Sequence, residues 1–255
     1  MTEIKTFNSI QEFITYRDAL GQDTRVGFVP TMGALHQGHA SLIRKASDEN
    51  DICVLSIYVN PTQFNNAEDL QKYPKTWDAD IELARANGAH IVIAPQYGEI
   101  YADGYRYKVM ETDFSKQLCG AHRAGHFDGV LTVVMKLLQI VQPHKAYFGE
   151  KDYQQLQLIR DMTKTFFLRT EIIGLPTIRE QDGLAMSSRN TRLSEEGRKK
   201  APLIYKALTE SRDPQVVRQT LQAAGVEVEY LEDHGQRRFI AAFIDNVRLI
   251  DNVAI

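Results

Sequence analysis

The chain has 255 residues, of which 43% are hydrophobic and 25% charged, and its formal net charge is −3. That length suits one large domain, or one domain with a smaller companion. The small acidic excess argues against a nucleic-acid binder, which normally carries a basic surplus to neutralise phosphates. No apolar run reaches the ~18–20 residues of a membrane helix, and the N-terminus lacks a signal-peptide core. Two cysteines, Cys53 and Cys119, are too few for a disulfide framework. We therefore expect a cytoplasmic globular protein.

Strand and helix patterns alternate along the first two thirds of the chain. Ser9 is placed to cap a first helix, and helical periodicity recurs near 40–50, 77–87 and 128–141. The unbroken apolar run ICVLSIYV is typical of strands buried on both faces of a parallel sheet, and five segments in all have strand character. They lie at 25–29, 52–59, 90–94, 145–149 and 170–175. This order predicts an α/β fold over residues 1–175, a Rossmann-like doubly wound parallel sheet.

The pattern changes after residue 175. Two helical stretches, 195–210 and 213–224, precede three strand-like segments with the sequences VEVEYL, RRFIAAFI and VRLIDNV. Consecutive short strands joined by tight turns indicate an antiparallel sheet. We therefore predict a smaller C-terminal α+β domain, helices plus a short antiparallel sheet, over residues 176–255.

A loop rich in glycine and histidine, PTMGALHQGH, follows the first predicted strand. Ligands of open α/β sheets bind beyond the carboxyl ends of the strands, where this loop lies. Gly33 and Gly38 allow close backbone approach, and the helix beginning near Gly38 offers N–H groups and a positive dipole end to an anion. His36 and His39 can donate hydrogen bonds to phosphate oxygens. Phosphate binding is favoured, with a metal half-site or a structural histidine pair as alternatives. The spacing matches neither a Walker A loop nor a GxGxxG turn.

Two further segments carry groups suited to a nucleotide. FGEKDYQQL runs from a strand into a helix, where Lys151 can bind phosphate and Asp152 can cap the helix or accept from ribose hydroxyls. GLAMSSRN lies between the predicted domains and places two hydroxyls beside Arg189 as a mobile cationic clamp. Taken alone, the first segment is better explained as a plain charged helix start, and the second is equally well explained as a serine-rich linker.

Polar residues also follow other strands. VNPTQF contains Asn60 and Gln63, and Gln63 could bind substrate hydroxyls, although NP is also a common turn. Asp78 and Asp80 could help to hold a magnesium ion, and they are equally good acids for a first helical turn. The sequence shows no Ser–His–Asp or Cys–His arrangement. Phosphate-binding groups with little covalent machinery are the profile expected for nucleotidyl transfer.

Five collinear segments, PTMGALHQGH, VNPTQF, RAGHFDGV, FGEKDYQQL and GLAMSSRN, together closely resemble the pantothenate synthetase (pantoate–β-alanine ligase) family. The first and fifth resemble the HIGH and KMSKS signatures of the nucleotidylyltransferase superfamily. The resemblance implies ATP-dependent joining of (R)-pantoate to β-alanine through a pantoyl-adenylate, with release of AMP and pyrophosphate. It also implies a Mg²⁺ ion that neutralises phosphate charge, and a cytoplasmic homodimer. Asp80, noted above from its position alone, is the candidate ligand for that ion.

The resemblance also implies residue roles. The residues assigned to ATP are Met32, Gly33, Ala34, Leu35, His36, Gln37, Gly38, His39, Gly149, Glu150, Lys151, Asp152, Ile178, Met186, Ser187, Ser188 and Arg189. The catalytic candidates among them are His36, His39, Lys151, Ser187, Ser188 and Arg189, with His39 as proton donor. The resemblance assigns Gln63 and Gln155 to pantoate, and Asn60 and Arg123 are further candidates for substrate binding because of their place after predicted strands.

Two other functions stay open at this point. One is another nucleotidylyltransferase of the same superfamily, which would leave a nucleotide on its product. The other is a nucleotide-binding module without turnover. Neither nucleic acid nor a membrane is expected as a partner. We expect the C-terminal domain and its MSSRN loop to form a lid that keeps water from the adenylate.

Overall fold

The structure, a computed structural model, describes residues 3–255 and divides into two compact units. The first unit contains the chain up to Gly149 and the segment Gln154–Leu175. The second contains Pro176–Ile255 together with the short segment Glu150–Tyr153. Those four residues thus lie in the second unit, although the first unit surrounds them in the sequence.

A six-stranded parallel sheet forms the centre of the first unit. The strands are β1 (Lys5–Phe7), β2 (Val26–Thr31), β3 (Ile52–Ile57), β4 (Ile91–Ile93), β5 (Lys145–Gly149) and β6 (Glu171–Leu175). Their order in the sheet is β1-β4-β3-β2-β5-β6. The predicted doubly wound parallel sheet is confirmed. The three-residue edge strand β1 is an addition that the sequence pattern did not reveal.

Helices connect these strands. They are α1 (Ile10–Asp18), α2 (Gln37–Glu49), α3 (Ala67–Gln71), α4 (Trp77–Ala86), α5 (Tyr97–Ile100), α6 (Cys119–His122), α7 (His126–Val141) and α8 (Tyr153–Thr165). Ser9 caps α1, as predicted, by accepting a hydrogen bond from the Glu12 backbone N–H. Within residues 3–255 there is no helix with the length and apolarity to span a membrane. Both cysteines are buried thiols.

The strand order locates the binding edge of the sheet. From β2 the chain adds β3 and then β4 on one side, whereas β5 and β6 lie on the other side of β2. A crevice opens at such a reversal of direction, beyond the carboxyl ends of the two central strands. Here these strands are β2, which leads into the glycine–histidine loop, and β5, which ends at Gly149.

The second unit packs three helices on an antiparallel sheet. The strands β7 (Glu227–His234), β8 (Arg237–Ile244) and β9 (Val247–Ala254) lie in sequence order, as predicted. The helices are α9 (Glu195–Lys200), α10 (Leu203–Glu210) and α11 (Pro214–Ala223). The single helix predicted over 195–210 is therefore wrong, because Pro202 has no N–H to continue the hydrogen-bond ladder.

A charged cluster at the end of α2 yields a pH-dependent prediction. The Glu49 carboxylate accepts from Lys145 Nζ at 2.9 Å and from the hydroxyl of fully buried Tyr147 at 2.8 Å, and it lies 2.7 Å from Lys45 Nζ. Hydrogen bonds from Lys45, Lys145 and Tyr147 lower the pKa of Glu49 to about 2. Because the folded state favours the ionised form, the carboxylate stabilises the fold above its usual pKa of 4.5 and loses that contribution toward pH 2.

We expect Glu49→Gln to lower the free energy of unfolding by about 1–2 kcal/mol at pH 7. The difference from wild type should shrink as the pH falls below 4.5, the usual pKa of this carboxyl group. Urea unfolding at pH 7 and pH 3 measures both values. Asp48→Asn, a neutralisation of the exposed neighbour, is the control and should change little. An equal Glu49→Gln penalty at both pH values would contradict the prediction.

Candidate active site

The loop between β2 and α2 satisfies its own backbone N–H groups. Thr31 Oγ1 accepts from Gly33 N at 3.2 Å, and the carboxylate of Asp80 accepts from Ala34 N and Leu35 N at 2.9 and 2.8 Å. Two further N–H groups bond to imidazoles of the loop itself. The sequence predicts that N–H groups here receive an anion. The structure occupies these five N–H groups internally, and anion binding by the loop stays a prediction.

His36 and His39 form a reciprocal cap at the start of α2. His36 Nδ1 accepts from Gly38 N at 3.1 Å, and His39 Nδ1 accepts from His36 N at 3.3 Å. The two rings lie 4.1 Å apart between centroids with a 40° angle between their planes. A neutral imidazole that accepts at Nδ1 carries its proton on Nε2. The caps therefore select the tautomer in which both Nε2 atoms are donors, as binding to phosphate oxygens requires.

Asp80 holds this loop from the first turn of α4. Its side chain is 2% exposed, and besides the two loop N–H groups it accepts from Thr76 Oγ1 at 3.0 Å. Gly33 and Ala34 both have positive φ values, +79° and +50°. A Cβ at Gly33 would lie 3.0 Å from the Asp80 carboxylate, so this turn requires glycine. These contacts give Asp80 a positioning role, while its predicted role as a metal ligand stays a prediction.

Asn60 organises the turn after β3. Its amide donates to Gln63 Oε1 at 3.0 Å and to Gly129 O at 3.2 Å, and its carbonyl accepts from Tyr101 at 2.9 Å and from Thr62 at 3.0 Å. Burial raises the pKa of Tyr101 to about 12, which keeps its phenol a donor. Asn60 is 1% exposed, and both the nitrogen and the oxygen of its side-chain amide are hydrogen-bonded within the protein. Asn60 therefore orients Gln63, while its predicted contact with a substrate stays a prediction.

The side chains of Arg123 and His126 contact the backbone of the same turn. Arg123 donates to Gln63 O at 3.2 Å, and His126 Nδ1 lies 2.8 Å from the same carbonyl. The Gln63 side chain itself donates to Met32 Sδ at 3.2 Å, in the loop after β2. Arg123 therefore fixes the backbone of Gln63, and the structure brings Met32 and Gln63 together at adjacent strands.

Two neighbouring glutamines at the start of α8 have different surroundings. Gln154 is buried and bonds to the backbone of Cys119, Phe114 and Gln117, which ties α8 to the segment before α7. Gln155 is half-buried, one helical position further round. Gln154 is thus committed to the fold, while the predicted role of Gln155 in binding pantoate stays a prediction.

The second unit carries the other predicted nucleotide segments. A bridge between Arg179 and Ala185 forms a small hairpin, and Met186 N donates to Ile178 O at 3.0 Å. The Ser187 hydroxyl then caps a 3-10 turn, Ser188–Arg192, by accepting from Arg189 N at 3.2 Å. Ile178 and the segment Met186–Arg189 are thus neighbours within one structured element rather than a loose linker.

The second unit also holds the 3-10 turn Glu150–Asp152. Asn252 on β9 donates to the carbonyls of Glu150 and Lys151 at 3.0 and 2.9 Å. Arg237 stacks over the Tyr153 ring at 4.0 Å, and its guanidinium lies 3.8 Å from the Glu150 carboxylate. The turn that contains Lys151 is therefore an integral part of the second unit.

A family model described as pantoate-beta-alanine ligase matches residues 3–254 of the chain. The chain belongs to this family. A pantothenate synthetase of Bdellovibrio bacteriovorus is 55% identical over 255 residues and covers 100% of both chains. One of Legionella pneumophila strain Lens is 49% identical over 249 residues, covering 98% of this chain and 99% of the relative.

Solved structures of pantoate–β-alanine ligases share the fold. The enzyme of Francisella tularensis, crystallised in complex with beta-gamma ATP and beta-alanine, has a TM-score of 0.95 and 41% identity. The match covers 99% of this chain and 98% of that one. The pantothenate synthetase of Thermus thermophilus has a TM-score of 0.91 and 39% identity, with coverage of 98% and 99%. The family recognised from the five segments is confirmed.

Sequence reasoning missed several residues that support the candidate site without belonging to the predicted set. Gly129 and Tyr101 surround Asn60, and Asp251 and Asn252 lie behind the segments of the second unit. One signal was available for the last two, because a polar Asp–Asn pair interrupts the otherwise apolar strand VRLIDNV. Gly129 lies within the segment RAGHFDGV, but its own role was not predicted because that role depends on its close approach to Thr62, far away in the sequence.

Proposed function

We propose that the protein catalyses the ATP-dependent condensation of (R)-pantoate with β-alanine to pantothenate, releasing AMP and pyrophosphate. Family membership over nearly the whole chain supports this activity. The structural observation that carries it is the His36–His39 pair, whose mutual caps present two Nε2 donors at the carboxyl end of β2. Such donors stabilise the negative charge that develops on phosphate oxygens when the α-phosphate is attacked.

Two chemical steps account for the residue types. A pantoate carboxylate oxygen first attacks the α-phosphate of ATP, which forms the pantoyl-adenylate and expels pyrophosphate. The neutral amine of β-alanine then attacks the acyl carbon, the bond to AMP breaks, and the amine loses a proton. Neither step needs a covalent enzyme intermediate, so positioning and charge stabilisation supply most of the rate.

The proposed roles follow the geometry. His36 and His39 bind phosphate oxygens, and Lys151 and Arg189 add positive charge. Gln63 and Gln155 bind pantoate. The remaining residues of the ATP assignment line the nucleotide, while Asn60, Arg123 and Asp80 position the groups that touch substrate.

Magnesium would be bound mainly through the phosphates of ATP. In the described part of the chain, the structure contains no group of three His, Cys, Asp or Glu residues arranged to hold a metal. Mg²⁺ commonly keeps several waters and uses substrate phosphates with few protein ligands. We also propose a cytoplasmic location and a homodimer, as the family resemblance implies.

The first experiment is an assay of AMP release with ATP, Mg²⁺, pantoate and β-alanine, each component omitted in turn. We expect AMP and pantothenate only when all are present. Pyrophosphate release with a nucleotide left on the product would indicate another nucleotidylyltransferase. ATP binding without turnover under any condition would indicate a binding module. Either result would overturn the proposed activity.

The second unit is proposed to act as the lid over the reaction. Ser187→Ala and Arg189→Ala should each slow adenylate formation about tenfold or more, because they remove a cap and a charge from the loop proposed to contact the triphosphate. The Kd of pantoate should change less than twofold. Quenched-flow measurement of adenylate, with pantoate binding by calorimetry, separates the two effects. Lys199→Ala, an exposed charge on α9, is the control. Weaker pantoate binding at unchanged adenylation rate would contradict the lid.

A further inference from the structure

Two consecutive buried residues of β9 each hold one of the segments proposed to contact ATP. Asp251 and Asn252 are 4% and 3% exposed. Consecutive side chains of a strand point to opposite faces of its sheet. The side chains of these two residues can therefore bind different segments on the two faces of the sheet.

On one face, Asp251 fixes the hairpin that leads into the MSSRN loop. Its carboxylate accepts two hydrogen bonds from the Arg179 guanidinium, at 2.6 and 2.9 Å. Arg179 also donates to Gly183 O at 3.1 Å and stacks over the Tyr205 ring at 3.5 Å. Since Arg179 bridges to Ala185, immediately before Met186, this ion pair sets where the loop begins.

On the other face, Asn252 fixes the turn that contains Lys151. Its amide nitrogen donates to two successive carbonyls, those of Glu150 and Lys151, and its oxygen accepts from Arg237. An amide is the only uncharged side-chain group of this size that both donates twice and accepts. The β8 residues Arg237 and Phe239 pack against Tyr153 on the same face.

We infer that Asp251 and Asn252 are positioning residues that hold the Lys151 turn and the Met186–Arg189 segment in a set arrangement within the second unit. The inference rests on the proposed function, because it takes both segments to bind ATP. Its consequence is that β9, through Asp251 and Asn252, controls the use of ATP by way of the two segments that they hold. Pantoate, assigned to residues of the first unit, should be unaffected.

Asn252→Asp is the sharpest test because it preserves shape and the bond from Arg237 while turning an oxygen toward two carbonyls. We expect the KM for ATP to rise about tenfold and the adenylation rate to fall about tenfold, with the KM for pantoate within twofold of wild type. Asp251→Asn weakens the ion pair with Arg179. It should change the KM for ATP and the adenylation rate in the same directions but by a smaller factor, and it should leave the KM for pantoate unchanged.

The matched control is Asp233→Asn in the same sheet. Asp233 makes an equivalent two-bond pair with Arg238, at 2.6 and 2.8 Å, and Arg238 otherwise contacts the backbone of Ser211 and Arg212. This variant should lower the Tm without altering either KM. If Asn252→Asp and Asp251→Asn only lower the Tm, as Asp233→Asn does, the positioning role is overturned.

Titration of each variant with a non-hydrolysable ATP analogue keeps this test separate from that of the ligase reaction. Wild type that makes no pantothenate would refute the proposed function alone. The analogue should still bind about tenfold more weakly to Asn252→Asp than to Asp233→Asn. Equal analogue affinity in these two variants would refute the positioning role whatever the reaction proves to be.

Discussion

Replacing Asp80 with asparagine is expected to slow adenylate formation by roughly 100-fold while the protein stays folded. The carboxylate accepts from Ala34 N and Leu35 N, and an asparagine amide would have to face one of these two N–H groups with its own donors. Leaving a buried donor without its charged acceptor costs about 1–3 kcal/mol, which is enough to shift the loop. The His36–His39 pair begins at the next residue, so its Nε2 atoms would move with it.

Single-turnover formation of AMP at saturating substrates measures this effect, with Tm as a check on folding. Asp78→Asn is the matched control, because Asp78 lies on the same helical turn, undergoes the same chemical change and is exposed. Its rate should equal that of wild type. His39→Ala is the reference for a large loss of rate, because it removes one imidazole and also the acceptor for His36 N.

Asp80→Asn also separates loop positioning from the metal role predicted from the sequence. If Asp80 positions the loop, the Mg²⁺ concentration that gives half-maximal rate should be unchanged in the variant. If excess Mg²⁺ restores the rate, Asp80 is a metal ligand and the positioning role is wrong. An unchanged rate at every Mg²⁺ concentration would show that the loop does not depend on Asp80.

The fold was predictable because burial on both faces determines which residue types a central strand contains. Unbroken apolar runs such as ICVLSI identified the central strands, and the alternation of those runs with amphipathic helices identified their parallel connection. The edge strand β1 has three residues with only one buried, which is too short a pattern to recognise. The helix break at Pro202 was in principle visible, since proline is unfavourable inside a helix.

The candidate site was predictable only where its residues are adjacent in sequence. The HxxH spacing places both imidazoles at one helix start, and the structure shows them stacked there. Local sequence could not show that Asp80, 46 residues from Ala34, takes up loop N–H groups otherwise available to an anion. Nor could it show that Glu150–Tyr153 lies in the second unit, because that placement depends on contacts with β8 and β9.

Gly129→Ala is expected to raise the KM for pantoate by roughly 30- to 100-fold, since the added methyl group has no space. An ideal Cβ at this position lies 2.6 and 2.7 Å from the carbonyl oxygen and carbon of Thr62 and 2.8 Å from Gln63 N. All three are backbone atoms, so the 3-10 turn Pro61–Gln63 would have to move away from α7 as a whole. Overpacking of this kind costs about 1–3 kcal/mol.

The displaced turn would carry Gln63 with it and break the bond from Asn60 to Gly129 O. Steady-state assays with pantoate and ATP varied separately test this, because the KM for ATP should change much less than that for pantoate. Gly98→Ala is the matched control: Gly98 lies in α5, and a Cβ added there would meet no neighbouring atom within 4 Å. It should leave both constants at wild-type values.

The Tm of Gly129→Ala, compared with that of wild type, provides a second measurement beside the KM for pantoate. Strain relieved by movement of the turn appears mainly as lost pantoate affinity, whereas strain retained in the fold appears as a lower Tm. We expect both, with a Tm decrease of a few degrees for a cost of about 1 kcal/mol retained in a chain of this size. A large Tm decrease with a normal KM for pantoate would show that the Pro61–Gln63 turn supports the fold but does not bind pantoate. In that case the assignment of Gln63 to the substrate would have to be abandoned, while the family and the proposed reaction would stand.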